Sequence, residues 1–125
     1  MHIRLSKKSD IQSIRAIYNQ AVEARNATAE LDPVSPEEAE RRYANNSPNK
    51  YPYYVLEAEG EIKAWGALKA YRPGRRALDA AAEITIYTAY DSHGRGCGNA
   101  LMQHIIKDCD RLGIRFLLAF LLEIN

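Results

Sequence analysis

Apolar positions change their spacing along the chain, and each change marks an element. Ile11, Ile14, Tyr18 and Val22 recur three and four residues apart. They therefore share one face of a helix expected over about residues 9–23. Ser9 and Gln12 stand at the N-cap and N3 spacing of a capping box, which would satisfy amide hydrogens that a helix start leaves without partners. The same logic recurs at Ser35-Pro36-Glu37-Glu38, where a capping serine, a proline at N1 and a glutamate at N3 open a second helix ending near Tyr43. Residues 3–5 and 53–58 read as strands, and Glu59-Gly60 turns the latter back into a further strand over 62–70. Glu83 precedes the β-branched and aromatic run Ile84-Thr85-Ile86-Tyr87-Thr88, another strand. Ala100, Leu101, Ile105, Cys109 and Leu112 return to helical spacing, so a helix starts near Gly98. Residues 115–122 are almost continuously apolar, as in a strand buried on both faces.

The order is strand, two helices, a three-strand meander, a glycine-rich loop, a helix and a strand. It predicts one α/β domain of α+β type over residues 1–125, with a mixed central sheet flanked by helices. Its 17 basic and 16 acidic residues are interspersed, for a net charge of +1, so there is no electrostatic case for nucleic acid. No apolar run is long enough to span a bilayer and the first residues lack the apolar region of a signal peptide, which predicts a cytoplasmic protein with no membrane partner. Cys97 and Cys109 have neither metal-ligand nor redox spacing; both are expected to be reduced, and no metal is expected.

Candidate chemistry begins at Asp91-Ser92-His93-Gly94-Arg95-Gly96-Cys97-Gly98-Asn99. Three alternating glycines between a strand and a helix let the backbone approach a ligand closely, and the free amides and dipole of the helix N-terminus favour an anion such as pyrophosphate. The spacing is neither the G-x-G-x-x-G of dinucleotide-binding folds nor a phosphate loop ending in Gly-Lys-Ser/Thr. Taken alone, the motif also suits a simple connection between two elements.

More of the chain agrees with a ligand site. His93 to Gly98 resembles the Q/R-x-x-G-x-G/A acyl-coenzyme A loop of the GNAT acetyltransferases, with histidine where that family usually carries Gln or Arg. Ile17-Tyr18-Asn19-Gln20-Ala21-Val22, Asn26-Ala27-Thr28-Ala29, Tyr51-Pro52-Tyr53-Tyr54-Val55 and Ala82-Glu83-Ile84-Thr85-Ile86-Tyr87 follow in the order of the phosphinothricin and methionine sulfoximine N-acetyltransferase branch. The resemblance implies a GNAT fold and acetyl transfer from acetyl-coenzyme A to the primary amine of a small amino-acid-like substrate. It implies that Ile86, Tyr87 and Thr88 line the acyl and pantetheine arm. His93, Gly94, Arg95, Gly96, Cys97, Gly98 and Asn99 would hold the pyrophosphate, and Asn125, after the last strand, would also bind the coenzyme.

Acetyl transfer to an amine needs a base for the ammonium proton. By resemblance that base is Glu83; its plainer role is a solvated strand carboxylate or a partner for Arg72 or Arg75. Arg72 and Arg75, with Arg76, suit bidentate contact with an acceptor carboxylate or phosphinate, and equally suit a soluble connection. Asn26, Thr28 and Glu30 fall where the family closes over the acceptor, with Glu30 in place of a frequent aromatic residue. The family pattern continues beyond Asn125 with a helix and two strands, including the tyrosine that serves as general acid. A chain without them is expected to leave its last strand at an edge that pairs in a homodimer, and the alternative to an active acetyltransferase is a non-catalytic or degenerate coenzyme A-binding module.

Overall fold

The computed structural model describes residues 1–24, 32–71 and 80–119. Strand β1 (His2–Leu5) leads through a 3₁₀ turn at Lys8–Asp10 into helix α1 (Ile11–Ala24), and helix α2 covers Pro36–Tyr43. Strands β2 (Tyr53–Ala58), β3 (Glu61–Ala70) and β4 (Ala81–Thr88) form the meander. A 3₁₀ turn at Tyr90–Ser92 then precedes helix α3 (Cys97–Leu112) and strand β5 (Phe116–Leu118). The sheet order is β1-β2-β3-β4-β5, antiparallel throughout except for the parallel β4–β5 pair.

Alternation along the strands sorts the side chains into two cores. Tyr54, Leu56, Ala64, Leu68, Ala82 and Ile84 face α3 and pack on Leu101, Ile105 and Leu112. Tyr53, Val55, Trp65 and Ala67 point the other way, onto Ile14 and Ile17 of α1. Gly66 leaves room for an α3 side chain: a Cβ there would lie 2.9 Å from Ile105 Cδ1 and 3.2 Å from the Thr85 carbonyl oxygen. His104 on α3 sits edge-on to Tyr54, with ring centroids 5.8 Å apart.

The serine at the start of α2 caps it as expected, its hydroxyl accepting from the Glu38 N–H at 3.1 Å. The start of α1 differs. Instead of a Ser9–Gln12 box, Asp10 takes the capping role: its Oδ2 accepts from the Lys7 N–H at 2.7 Å and from Arg4 Nη1 at 2.8 Å. A charged carboxylate is the stronger acceptor, and Arg4 on β1 fixes it in place.

The last strand also departs from its expectation. Phe116 of β5 is 64% exposed, and the partly buried Leu117 packs against the α3 cluster. Covering helix lies on one side of this strand, so it is not buried on both faces among the described residues. No described helix is long and apolar enough to cross a membrane.

Candidate functional site

Two glycines shape the approach to α3. Gly94 and Gly96 both have φ of +80°, a left-handed conformation that side chains resist. Gly96 is the N-cap, and no side chain caps the helix. The first amides of α3 therefore face outward without a capping acceptor, and no acidic residue in the first turn competes for them. Gly98 turns its bare Cα toward β4, where a Cβ would lie 3.6 Å from Thr88 Oγ1 and 3.9 Å from Ile86 Cγ2. This cradle of outward amides and absent side chains suits a pyrophosphate. Arg95 and Asn99 are exposed on it, whereas the Cys97 side chain is buried in the α3 core, leaving its backbone for a ligand.

His93 is tied down: its Nε2 lies 3.1 Å from the Thr88 carbonyl oxygen, which anchors the loop to the end of β4. Ile86, Tyr87, Thr88 and His93 line a groove of about 480 Å³ together with Gln20, Ala21 and Ala24 of α1 and Tyr90. Gln20 holds this wall by accepting from the Tyr90 N–H at 2.7 Å. Pairing of β4 with β5 stops at Glu83–Leu118, while β4 runs on to Thr88. Among the described residues, the β5 side of β4 beyond Glu83 is thus an open edge.

On the α1 face, three rings form a stack. Trp65 lies parallel to Tyr53 at 5.5 Å and inclined by 28° to Tyr87 at 5.1 Å, and Tyr18 meets Tyr87 edge-on at 5.1 Å. They line a cavity of about 340 Å³ whose charged lining, among the described residues, is basic: Arg15, Arg42 and Lys69. Arg15 Nε donates to the Val34 carbonyl at 2.8 Å, and Arg42 Nε to Glu38 Oε2 at 2.9 Å. Asn19 clasps the Val34 backbone from both sides, at 2.7 and 3.1 Å, and so fixes the wall of the cavity. Burial pushes the Tyr53 hydroxyl above its ordinary range, which keeps it neutral. The Trp65 Nε1 hydrogen is buried without an acceptor among the described residues.

Glu83 is half-buried on the same side of β4 as Thr85 and Tyr87. It lines an adjoining cavity of about 510 Å³ that shares Arg42, Tyr53 and Lys69 with the aromatic one. The structure therefore gathers the expected donor residues at the end of β4 and sets Glu83 at its start. Asn26, Thr28, Glu30, Arg72, Arg75 and Asn125 lie outside the described residues. Trp65, Lys69, Arg15 and Arg42 were missed in the sequence. The signal available was the period of two along 65–69 and 83–87, which places both sets on one face once the strands are paired in register.

The model of the acetyltransferase (GNAT) domain matches residues 3–125. The chain belongs to the GNAT acetyltransferase family. YwnH of Bacillus subtilis, which carries a phosphinothricin acetyltransferase name, is 34% identical over 100% of this chain and 76% of its own length. The L-methionine sulfoximine/L-methionine sulfone acetyltransferase of Pseudomonas aeruginosa is 27% identical over 94% of this chain and 68% of its own. The curated relatives are matched over 54% to 76% of their lengths. The GNAT phosphinothricin acetyltransferase of Sinorhizobium meliloti, solved in complex with acetyl-coenzyme A, superposes with a TM-score of 0.87 at 31% identity, covering 96% of this chain and 65% of that one. The mixed five-strand sheet with its flanking helices is thus the GNAT fold.

Proposed function

We propose that this GNAT protein transfers the acetyl group of acetyl-coenzyme A to the primary amine of a small amino-acid-like acceptor. The observation that carries the reading is that Tyr87 lines both the groove leading from the glycine loop and the aromatic cavity on the α1 face. Two ligands bound in these hollows meet at β4. Bound coenzyme supplies the activated acyl thioester.

The chain's own residues then do the rest. The outward amides of α3 and the bare Gly94–Gly98 loop hold the pyrophosphate, with Arg95 adding positive charge. The rings of Tyr53, Trp65 and Tyr87 exclude water from the acceptor side. Glu83 takes a proton from the acceptor ammonium, directly or through a water, so that the amine becomes a nucleophile. The phosphinothricin and methionine sulfoximine enzymes among the relatives support an α-amino acid as acceptor.

The test is acetyl-coenzyme A-dependent release of free thiol against methionine sulfoximine, phosphinothricin and a panel of primary amines. Glu83→Gln is expected to lower turnover about 10²–10⁴-fold at unchanged coenzyme affinity. Equal turnover in the variant removes Glu83 from the chemistry. Coenzyme binding without thiol release against every amine assigns the chain to binding alone. We also propose a homodimer joined through β5, supported by exposure of Phe116 and of Ile106 beside it.

A further inference from the structure

The α1 face holds one pair of opposite charges whose arrangement is not explained by holding the fold together. Lys69 of β3 stands directly opposite Glu83 of β4 in the antiparallel register. Side chains in such positions start about 4.5–5.5 Å apart at Cβ and project to the same face. Elsewhere this chain closes such pairs: Lys63 binds Glu61 at 3.0 Å, Arg111 binds Asp108 at 2.7 Å, and Arg4 bridges Asp10 and Glu57. Lys69 and Glu83 make neither an ion pair nor a hydrogen bond with each other or with any other described side chain. Both face a cavity, and Lys69 is the cation that lines the aromatic cavity and the Glu83 cavity together without such a partner.

We propose that Lys69 binds the carboxylate of the acceptor while Glu83 faces its amine, so that the two strands present a divided site for an α-amino carboxylate. The proposal rests on the reading of Glu83 and the acceptor given above, and adds the residue that selects the acceptor. An α-amino acid carries its ammonium and carboxylate on one carbon, and a lysine beside a glutamate on adjacent strands offers the complementary charges at matching spacing. With the charged end held there, the acceptor side chain lies along Tyr53, Trp65 and Tyr87. That wall fits an apolar or aromatic side chain better than a charged one. Arg15 and Arg42 line the same cavity but already spend Nε donors on Val34 and Glu38.

The chain provides its own reporter, since Trp65 is its single tryptophan and lies in the cavity. Trp65 fluorescence of the full chain is titrated with L-phenylalanine and, separately, with phenethylamine, which lacks only the carboxylate. The wild type is expected to bind the amino acid more tightly. Lys69→Gln is expected to weaken that binding about 10-fold or more and to leave phenethylamine unchanged, while Lys69→Arg keeps most of the selectivity. In the thiol-release assay, Lys69→Gln raises KM for the amino acid at unchanged kcat. Equal effects on both ligands, no effect on either, or no saturable response of the wild type to any amino acid overturns the proposal. Carboxylate-selective binding that depends on Lys69, in a chain that releases no thiol, keeps this site and overturns the acetyl-transfer reading. Acetyl transfer insensitive to Lys69→Gln does the reverse.

Discussion

At the scale of single residues, Asp10 does the most with one side chain. Its carboxylate is buried, caps the entry to α1 through the Lys7 amide and pairs with Arg4, which also reaches Glu57. The Arg4 hydrogen bond is the main cause holding its pKa below the ordinary carboxylate value, against the opposing effect of burial. A pKa lower in the folded than in the unfolded chain gives stability that is fully present above about pH 4, the unfolded value. That stability is lost as pH falls through the lowered folded value. Asp10→Asn is expected to cost about 1–3 kcal/mol near neutral pH and to flatten the acid limb of the stability curve. Urea unfolding from pH 7 down to pH 2 measures both effects, and an unchanged acid limb would remove Asp10 from acid sensitivity. The sequence hid this role because Ser9 matched the local capping pattern; Arg4 becomes a competitor only after β1 and β2 are paired.

Elements differ in how much of them local pattern reveals. The serine, proline and glutamate opening α2 act within one turn, so their roles were legible from spacing alone, as was the start of α3 from its glycines. The last strand was not, because burial of an apolar run depends on what covers it. Phe116 is 64% exposed and lines a cavity with Ile106 of α3, itself 47% exposed. With β4 on one side and no described strand on the other, β5 offers an apolar, pairable edge. Phe116→Glu is therefore expected to shift the chain from dimer to monomer in light scattering after size exclusion, with its circular dichroism unchanged. A wild type that is monomeric at every concentration removes β5 as an interface.

For the molecule as a whole, the glycine loop was readable because its chemistry lies in consecutive residues. The α1 face of the sheet was not, because Lys69, Trp65 and Glu83 come together only through the register of β3 on β4. That register also makes β4 the shared wall of two hollows, and a ligand bound in either is linked to the stability of the entire fold. A ligand that binds only the folded chain, at 100 times its Kd, adds about 2.7 kcal/mol. For a domain of this size that corresponds to a rise in Tm on the order of 10 °C. Acetyl-coenzyme A is expected to produce such a rise in the wild type and an equal one in Glu83→Gln, since Glu83 lies at the far end of β4 from the loop. Gly96→Ala is expected to reduce it, because a Cβ at φ +80° costs about 1–2 kcal/mol and reorients the first amides of α3. Differential scanning fluorimetry with and without acetyl-coenzyme A separates the cases. A full shift in Gly96→Ala, or none in the wild type, places coenzyme binding elsewhere than the α3 N-terminus. A shift kept in Glu83→Gln but lost in Gly96→Ala divides the site into a loop that binds and a strand that reacts.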